Sequence, residues 1–320
     1  MIDVKYLHNN TTVKLPRCTK LFDLVKQEQE YYKYDIVGAI VNNELKELWY
    51  ELKEDSEVKF IDTSSSYGNR FYSRSLIFLL VIAVKEIFDK SRVTIEHSLS
   101  KGIYCEIHHG RALTMDDVEK LDRKMREMVA SDIPFKRRLL PIEEATKVFE
   151  DNGMVDKVSL LKHRKKNTAN VYNCNGHENY FYGYMVPSTG YIKDFELKFY
   201  EPGLILRFPE KTNPHVIPEF KEQRKLFNVF REFENWGRIM EINNVADMDN
   251  IIEDGKLNEL ILISEALHEK KISQIADMIA DSIDKKKLVL ISGPSSAGKT
   301  TFANRLFIQL RVNGLKPVAI

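Results

Sequence analysis

Leu76–Val84 is an unbroken run of nine apolar residues, the longest in the chain. A membrane-spanning helix needs about 20, so the run is about half of what a bilayer requires and has to be buried by protein. Its neighbours extend it into an apolar helix from Ser73 to about Lys90. A domain must therefore be wrapped around this segment. With 320 residues there is ample length for that, and for two or three domains in all. The net charge of +1 exerts no strong pull towards nucleic acid or a membrane surface. Cys18, Cys105 and Cys174 lack paired or metal-like spacing, which suits a reducing compartment. Met1 is followed by Ile-Asp-Val-Lys and not by a basic and then apolar leader. The expectation is a soluble, cytoplasmic protein that does not engage membranes.

Residues 1–62 read as a small α/β module. Ile2 to Leu7 and Thr11 to Leu15 alternate like a hairpin, and Thr19 caps a helix carrying Leu21, Phe22, Leu24 and Val25. Ile36–Val41 is a strand, Asn42-Asn43 tolerates positive φ, and Val58–Ile61 closes the sheet. The order ββαβ…β suggests a β-grasp within an α+β chain.

Residues 63–210 form a larger α+β unit. After the apolar helix come strands Val93–Ser98 and Ile103–Ile107, then a charged helix opened by a capping box at Thr114 and Asp117. Further strands are expected at Pro134–Leu140, Asn170–Cys174, Phe195–Tyr200 and Leu204–Phe208. Several polar clusters stand out. Cys105 with His108 and His109, and Cys174 with His177 around Gly176, read as a strand end and a turn before they read as metal ligands. Lys136-Arg-Arg138 and Lys162-His-Arg-Lys-Lys166 read first as solvated faces, with RNA or phosphate contact as the alternative. Tyr180-Phe-Tyr-Gly-Tyr184 reads as core packing before base stacking.

Residues 211–285 are helical. Glu219–Trp236 carries Phe220, Leu226, Phe227, Phe230 and Phe233 in register, and a second apolar stretch follows Gly255. In 286–320, Lys287–Ser292 reads as a buried strand and Gly293-Pro-Ser-Ser-Ala-Gly-Lys-Thr300 as a P-loop. Gly293 and Gly298 allow the tight turn, so that the N–H groups of Ser295, Ser296, Ala297, Gly298, Lys299, Thr300 and Thr301 converge on an anion at a helix N-terminus. Lys299 would be the catalytic cation and Thr300 the Mg²⁺ ligand. Gly314 ends that helix, and 315–320 starts a second strand.

The stretches Ile36–Leu45 and Leu52–Val58 resemble the TGS domain of threonyl-tRNA synthetases. Arg111–Met125 and Ile142–Phe149 resemble the second additional domain of the same enzymes, where His-x-x-x-His and Cys-x-x-x-His build a site that hydrolyses mischarged seryl-tRNA. The likeness places Phe78 and Ile82 on the first pair and Phe181 and Met185 on the second, so it implies no editing activity and no zinc. TGS-like module, synthetase-like domain, helical connector (211–285) and P-loop, in this order, resemble bacterial uridine kinase-like nucleoside kinases. That likeness implies ATP and Mg²⁺ as cofactors and phosphoryl transfer to a nucleoside 5′-hydroxyl, with the chain an inactive N-terminal part of a longer kinase. The alternative is a tRNA-binding, trans-editing or regulatory module related to the synthetase, binding RNA or a small ligand.

Overall fold

In the computed structural model, which describes residues 1–320, the chain divides into two compact units, Met1–Asn243 and Asn244–Ile320. The first opens with β1 (Ile2–Tyr6), β2 (Thr11–Leu15), β3 (Thr19–Lys20), α1 (Leu21–Glu28), β4 (Ile36–Val41), β5 (Glu44–Glu47), β6 (Glu51–Leu52) and β7 (Ser56–Asp62). A five-stranded sheet runs β2-β1-β7-β4-β5, with β1 and β7 parallel at its centre and the other pairs antiparallel. β3 and β6 pair separately. Asn42 and Asn43 make the β4–β5 turn at φ 47° and 65°, where asparagine is among the few tolerated side chains. α1 covers one face, burying Leu21 and Leu24 among Val4, Ile36, Ala39, Val58 and Phe60. Thr19 does not cap it: the N-cap is Lys20, and the Thr19 hydroxyl donates to the Pro16 carbonyl instead, at 2.8 Å.

The opposite face of this sheet receives α2 (Ser66–Ile87). The helix begins seven residues before the sequence suggests, because the Ser65 hydroxyl accepts from the Gly68 N–H at 2.9 Å and opens two polar turns ahead of the apolar run. Ser, Gly and Asn favour turns, so those turns carry no helical signature. Phe71, Leu76, Phe78, Leu79, Leu80, Ile82, Ala83 and Val84 are all buried. Burying a Leu-sized side chain is worth roughly 1.5–3 kcal/mol, so α2 contributes substantially to the unit's core. Gly38 on β4 lets it approach, since a Cβ there would meet the Phe71 ring at 2.7 Å.

Around α2 the chain lays down β8 (Arg92–Leu99), β9 (Gly102–His108), α3 (Met115–Ala130), β10 (Lys136–Pro141), α4 (Ile142–Asp151), α5 (Val155–Lys162), β11 (Thr168–Cys174), β12 (His177–Tyr180), β13 (Glu196–Tyr200) and β14 (Gly203–Arg207). Thr114 and Asp117 form the capping box of α3. A four-stranded antiparallel sheet runs β13-β14-β9-β8, and a three-stranded one β10-β11-β12. Both contribute to the core around α2, through Cys105, Ile107, Leu204 and Leu206 and through Tyr172 and Cys174. α4 and α5 bury Ala145, Phe149 and Leu161 against Ala169 and Val171 on the other face of the three-stranded sheet.

α6 (Arg224–Ile239) lies on the four-stranded sheet, with Phe227 buried against Tyr104 and Tyr200. Near it, burial and the neighbouring Glu96 and Glu106 carboxylates push the Glu234 carboxyl up to about 7. A carboxyl held above its ordinary value stabilises the fold only while protonated. That contribution is present below about 4.5, declines as pH rises to about 7, and is absent above. We expect Glu234→Gln to flatten the loss of stability between pH 4.5 and 7, measured as thermal midpoints across that range.

The second unit contains α7 (Val245–Glu253), α8 (Leu257–Asp281) and α9 (Lys299–Val312). Gln309 bonds Glu269 and Asn313 bonds Asp277, so α8 and α9 run parallel, sharing Ile272, Ala276, Leu306 and Leu310 as their core. The two expected strands do not form. Residues 287–292 and 315–320 are irregular, and Leu288, Val289, Leu290 and Ile291 are exposed. An apolar run becomes a strand by pairing and burial, and neither segment meets a partner strand.

Candidate functional site

Helical spacing places Ser75, Phe78 and Ile82 on one stripe of α2. Ser75, wholly buried, donates to the Phe71 carbonyl at 2.8 Å and accepts from the Val186 N–H at 2.9 Å. This bond ties segment 185–187 to the helix. Phe181 then lies against Phe78, with ring centroids 5.1 Å apart, and Met185 joins the same core. Phe78, Ile82 and Met185 are buried, and Phe135, just before β10, and Tyr172 on β11 close the cluster. The four positions that the sequence likeness sets apart thus all belong to one apolar core, with Phe78 and Phe181 in direct contact.

A polar network borders this core. Glu47, at the end of β5, is buried and accepts from Arg137 Nε at 2.6 Å and from Tyr172 Oη at 3.1 Å. Arg137 also donates to Asn170 Oδ1 at 3.1 Å and lies over the Tyr184 ring. Burial, reinforced by the Glu47 carboxylate, pushes the Tyr172 hydroxyl up. Trp49, stacked on Phe22, donates to the Pro187 carbonyl at 3.3 Å. Besides the apolar seat of its sheet on α2 and the Lys193–Asp35 ion pair, the N-terminal module is thus tied to the larger domain by Glu47 and Trp49 at and just beyond the end of β5. Sequence reasoning missed this network because Glu47 and Arg137 are 90 residues apart.

The run Lys136-Arg-Arg138 is not one solvated face. Strand alternation turns Arg137 inward to Glu47 and leaves Lys136 and Arg138 exposed, the latter paired with Glu178. The cluster 180–184 is split in the same way: Phe181 and Tyr184 pack on the core, while Tyr182 is 77% exposed. Cys174 and His177 are paired across a hairpin turn made by Asn175 and Gly176, both at positive φ. The Cys174 thiol is pushed up to about 12, by burial and then by Glu86, whereas His177 faces Glu86 at 3.2 Å. His108 bonds Thr94, and His109 stacks on Phe88. No three Cys, His, Asp or Glu side chains converge in a way that could hold a metal ion.

Gly293, Ser295, Ser296, Ala297, Gly298, Thr300 and Thr301 lie together in an exposed loop and the first turn of α9. Gly298 has φ 74° and Ser296 φ 60°. Lys299 Nζ donates to the carbonyls of Gly293 and Pro294, at 2.9 and 2.7 Å.

Mixed sheets and helices make this an α+β protein, and comparisons with known proteins find relatives of one kind over part of it. Over half its length the chain is similar to threonine–tRNA ligases. It is 27% identical over 198 residues to that of Carboxydothermus hydrogenoformans, covering 62% of this chain and 31% of the relative. The Pelobacter propionicus enzyme is 32% identical over 161 residues (50% and 25%), and that of Clostridium tetani 26% over 192 (60% and 30%). The chain thus spans between a quarter and a third of the length of these relatives. The longest of these matches exceeds the whole of the second unit, so it necessarily takes in much of the first. No family model matches. These findings overturn the nucleoside-kinase reading of the sequence, and the P-loop and uridine-kinase labels with it: relatives over half the chain are tRNA ligases, and none found supports a kinase or a nucleoside or ATP partner. Among the segments described, no helix is long and apolar enough to cross a membrane.

Removing one partner of the buried Glu47–Arg137 pair should be costly. We expect Glu47→Gln to destabilise the first unit by about 3 kcal/mol in urea unfolding, the low end for a broken buried pair because Arg137 stays 26% exposed. Replacing both by Leu and Met should cost less.

Proposed function

We propose that the first unit is a tRNA-binding module related to the N-terminal part of threonine–tRNA ligases, retained for recognition and not for hydrolysis. The similarity over half the chain supports the partner class. The observation that carries the second half is that Phe78, Ile82, Phe181 and Met185 all belong to one apolar core, where a hydrolytic site would need imidazole and thiol groups. Recognition without chemistry leaves affinity to the surface of the unit, where phosphate contacts position an RNA.

The reading has two measurable consequences. The 320-residue chain should bind an unmodified threonine-tRNA transcript with a dissociation constant in roughly the micromolar range at about 100 mM salt, weakening steeply as salt rises. Seryl-tRNA should be deacylated no faster in its presence than in buffer. Fluorescence anisotropy and a charged-tRNA decay assay check these outcomes. Absence of tRNA binding at any salt would refute the partner, and accelerated decay would refute the loss of hydrolysis.

A further inference from the structure

Between Asp156 and Glu178 the chain has no acidic residue, yet it carries Lys157, Lys162, Arg164, Lys165 and Lys166. In a protein of net charge +1 with nearly equal numbers of acidic and basic residues, this is a pronounced local asymmetry. Of the five, Lys157 pairs with Asp156 at 3.1 Å. Lys162, Lys165 and Lys166 are exposed and make no ion pair.

The loop that bears them is held at fixed points. On its N-terminal side Leu161 is buried among Ala145, Phe149 and Val171. On its C-terminal side the Asn167 carbonyl accepts from the Ile142 N–H at 3.0 Å, and Thr168 begins β11. Arg164 bridges the two. Its Nε donates to the Thr168 carbonyl at 3.0 Å, its Nη1 donates to Tyr180 Oη at 2.8 Å, and its guanidinium lies over the Tyr180 ring. Tyr180, Val171 and Arg138 stand opposite one another across β12, β11 and β10, so they share one face of the sheet. Arg164 is thus the cation that holds Tyr180, while Arg138 lies on the same face two strands away, beyond Val171, and pairs with Glu178. The exposed lysines project from a clamped segment, which leaves less backbone freedom to lose when a partner binds.

Resting on the tRNA-binding reading above, we infer that this loop, residues 162–166, is the element by which the first unit grips the ribose–phosphate backbone of its RNA. Lysines offer charge without base-specific forks, so the contact fixes register and supplies affinity and does not read sequence. A solvated surface with no partner would gain nothing from a five-residue basic run held by Arg164 and Tyr180. A polyanion compensates its charge and releases counterions.

The test compares the wild-type chain with Lys162→Glu/Lys165→Glu/Lys166→Glu and with the milder triple Gln variant, each checked for an unchanged melting temperature. The probe is the unmodified threonine-tRNA transcript, titrated at several salt concentrations. The expected result is an affinity lowered at least about 10-fold by the Glu variant and less by the Gln variant, with the slope of log K against log salt reduced by about 2–3. Wild-type affinity and slope in both variants would overturn the assignment of the loop while leaving tRNA binding in place. Failure of the wild-type chain to bind the transcript would overturn both. Loss of binding to phosphatidylserine vesicles in the variants, with RNA affinity unchanged, would transfer the loop to a membrane surface and likewise overturn the proposal.

Discussion

The burial of the central turns of α2, from Phe71 to Val84, is the constraint on which the rest of the first unit depends. A helix apolar around its circumference cannot lie on a surface, so it needs several layers around it. The chain supplies the N-terminal five-stranded sheet, the four-stranded sheet, the three-stranded sheet and α3, all contributing to one core. Gly38 and the Ser75–Val186 bond are local devices that let these layers approach. The same requirement draws Phe78, Ile82, Phe181 and Met185 into that core, where they become part of the packing that holds the unit together.

That coupling separates recognition from chemistry. Hydrocarbon at the four positions adds to stability through close packing, whereas a working set of imidazoles and a thiol would have to be kept partly open and hydrogen-bonded. The polar groups that remain nearby, Glu47, Arg137, Tyr172 and Asn170, satisfy one another and join two modules. Free positive charge survives instead on the outer edge, at Lys162, Lys165 and Lys166. On the proposed reading, this arrangement holds an RNA without acting on it.

Much of this architecture was legible in the sequence. The alternation of β1 and β2, the apolar run of β4 and the capping box at Thr114 declare themselves locally, and the apolar residues at 78, 82, 181 and 185 were expected in the core where they lie. What was not legible depends on distant partners. Glu47 with Arg137 is one case. The alternate facing of Lys136, Arg137 and Arg138 is another, since it needs the pairing of β10 with β11. The β12 strand, His177–Tyr180, was missed because its polar and aromatic residues resemble a loop until β11 is beside it. Lys287–Ser292 failed in the opposite direction. Its composition favours a strand, but composition supplies no neighbour to pair with, and a strong local motif at Gly293–Thr300 then drew the whole reading towards phosphoryl transfer. Similarity spread over half the chain outweighs an eight-residue pattern.

The central claim is that RNA is held at the surface of the first unit while the former pocket stays shut. Amide hydrogen exchange of the full chain with and without the threonine-tRNA transcript tests it directly. The account predicts slowed exchange on binding in residues 162–168, with the already protected amides around Phe78–Ile82 and Phe181–Met185 unchanged. Protection confined to the second unit, or exchange that speeds up around Phe78–Ile82 as the core opens to admit the RNA end, would contradict it.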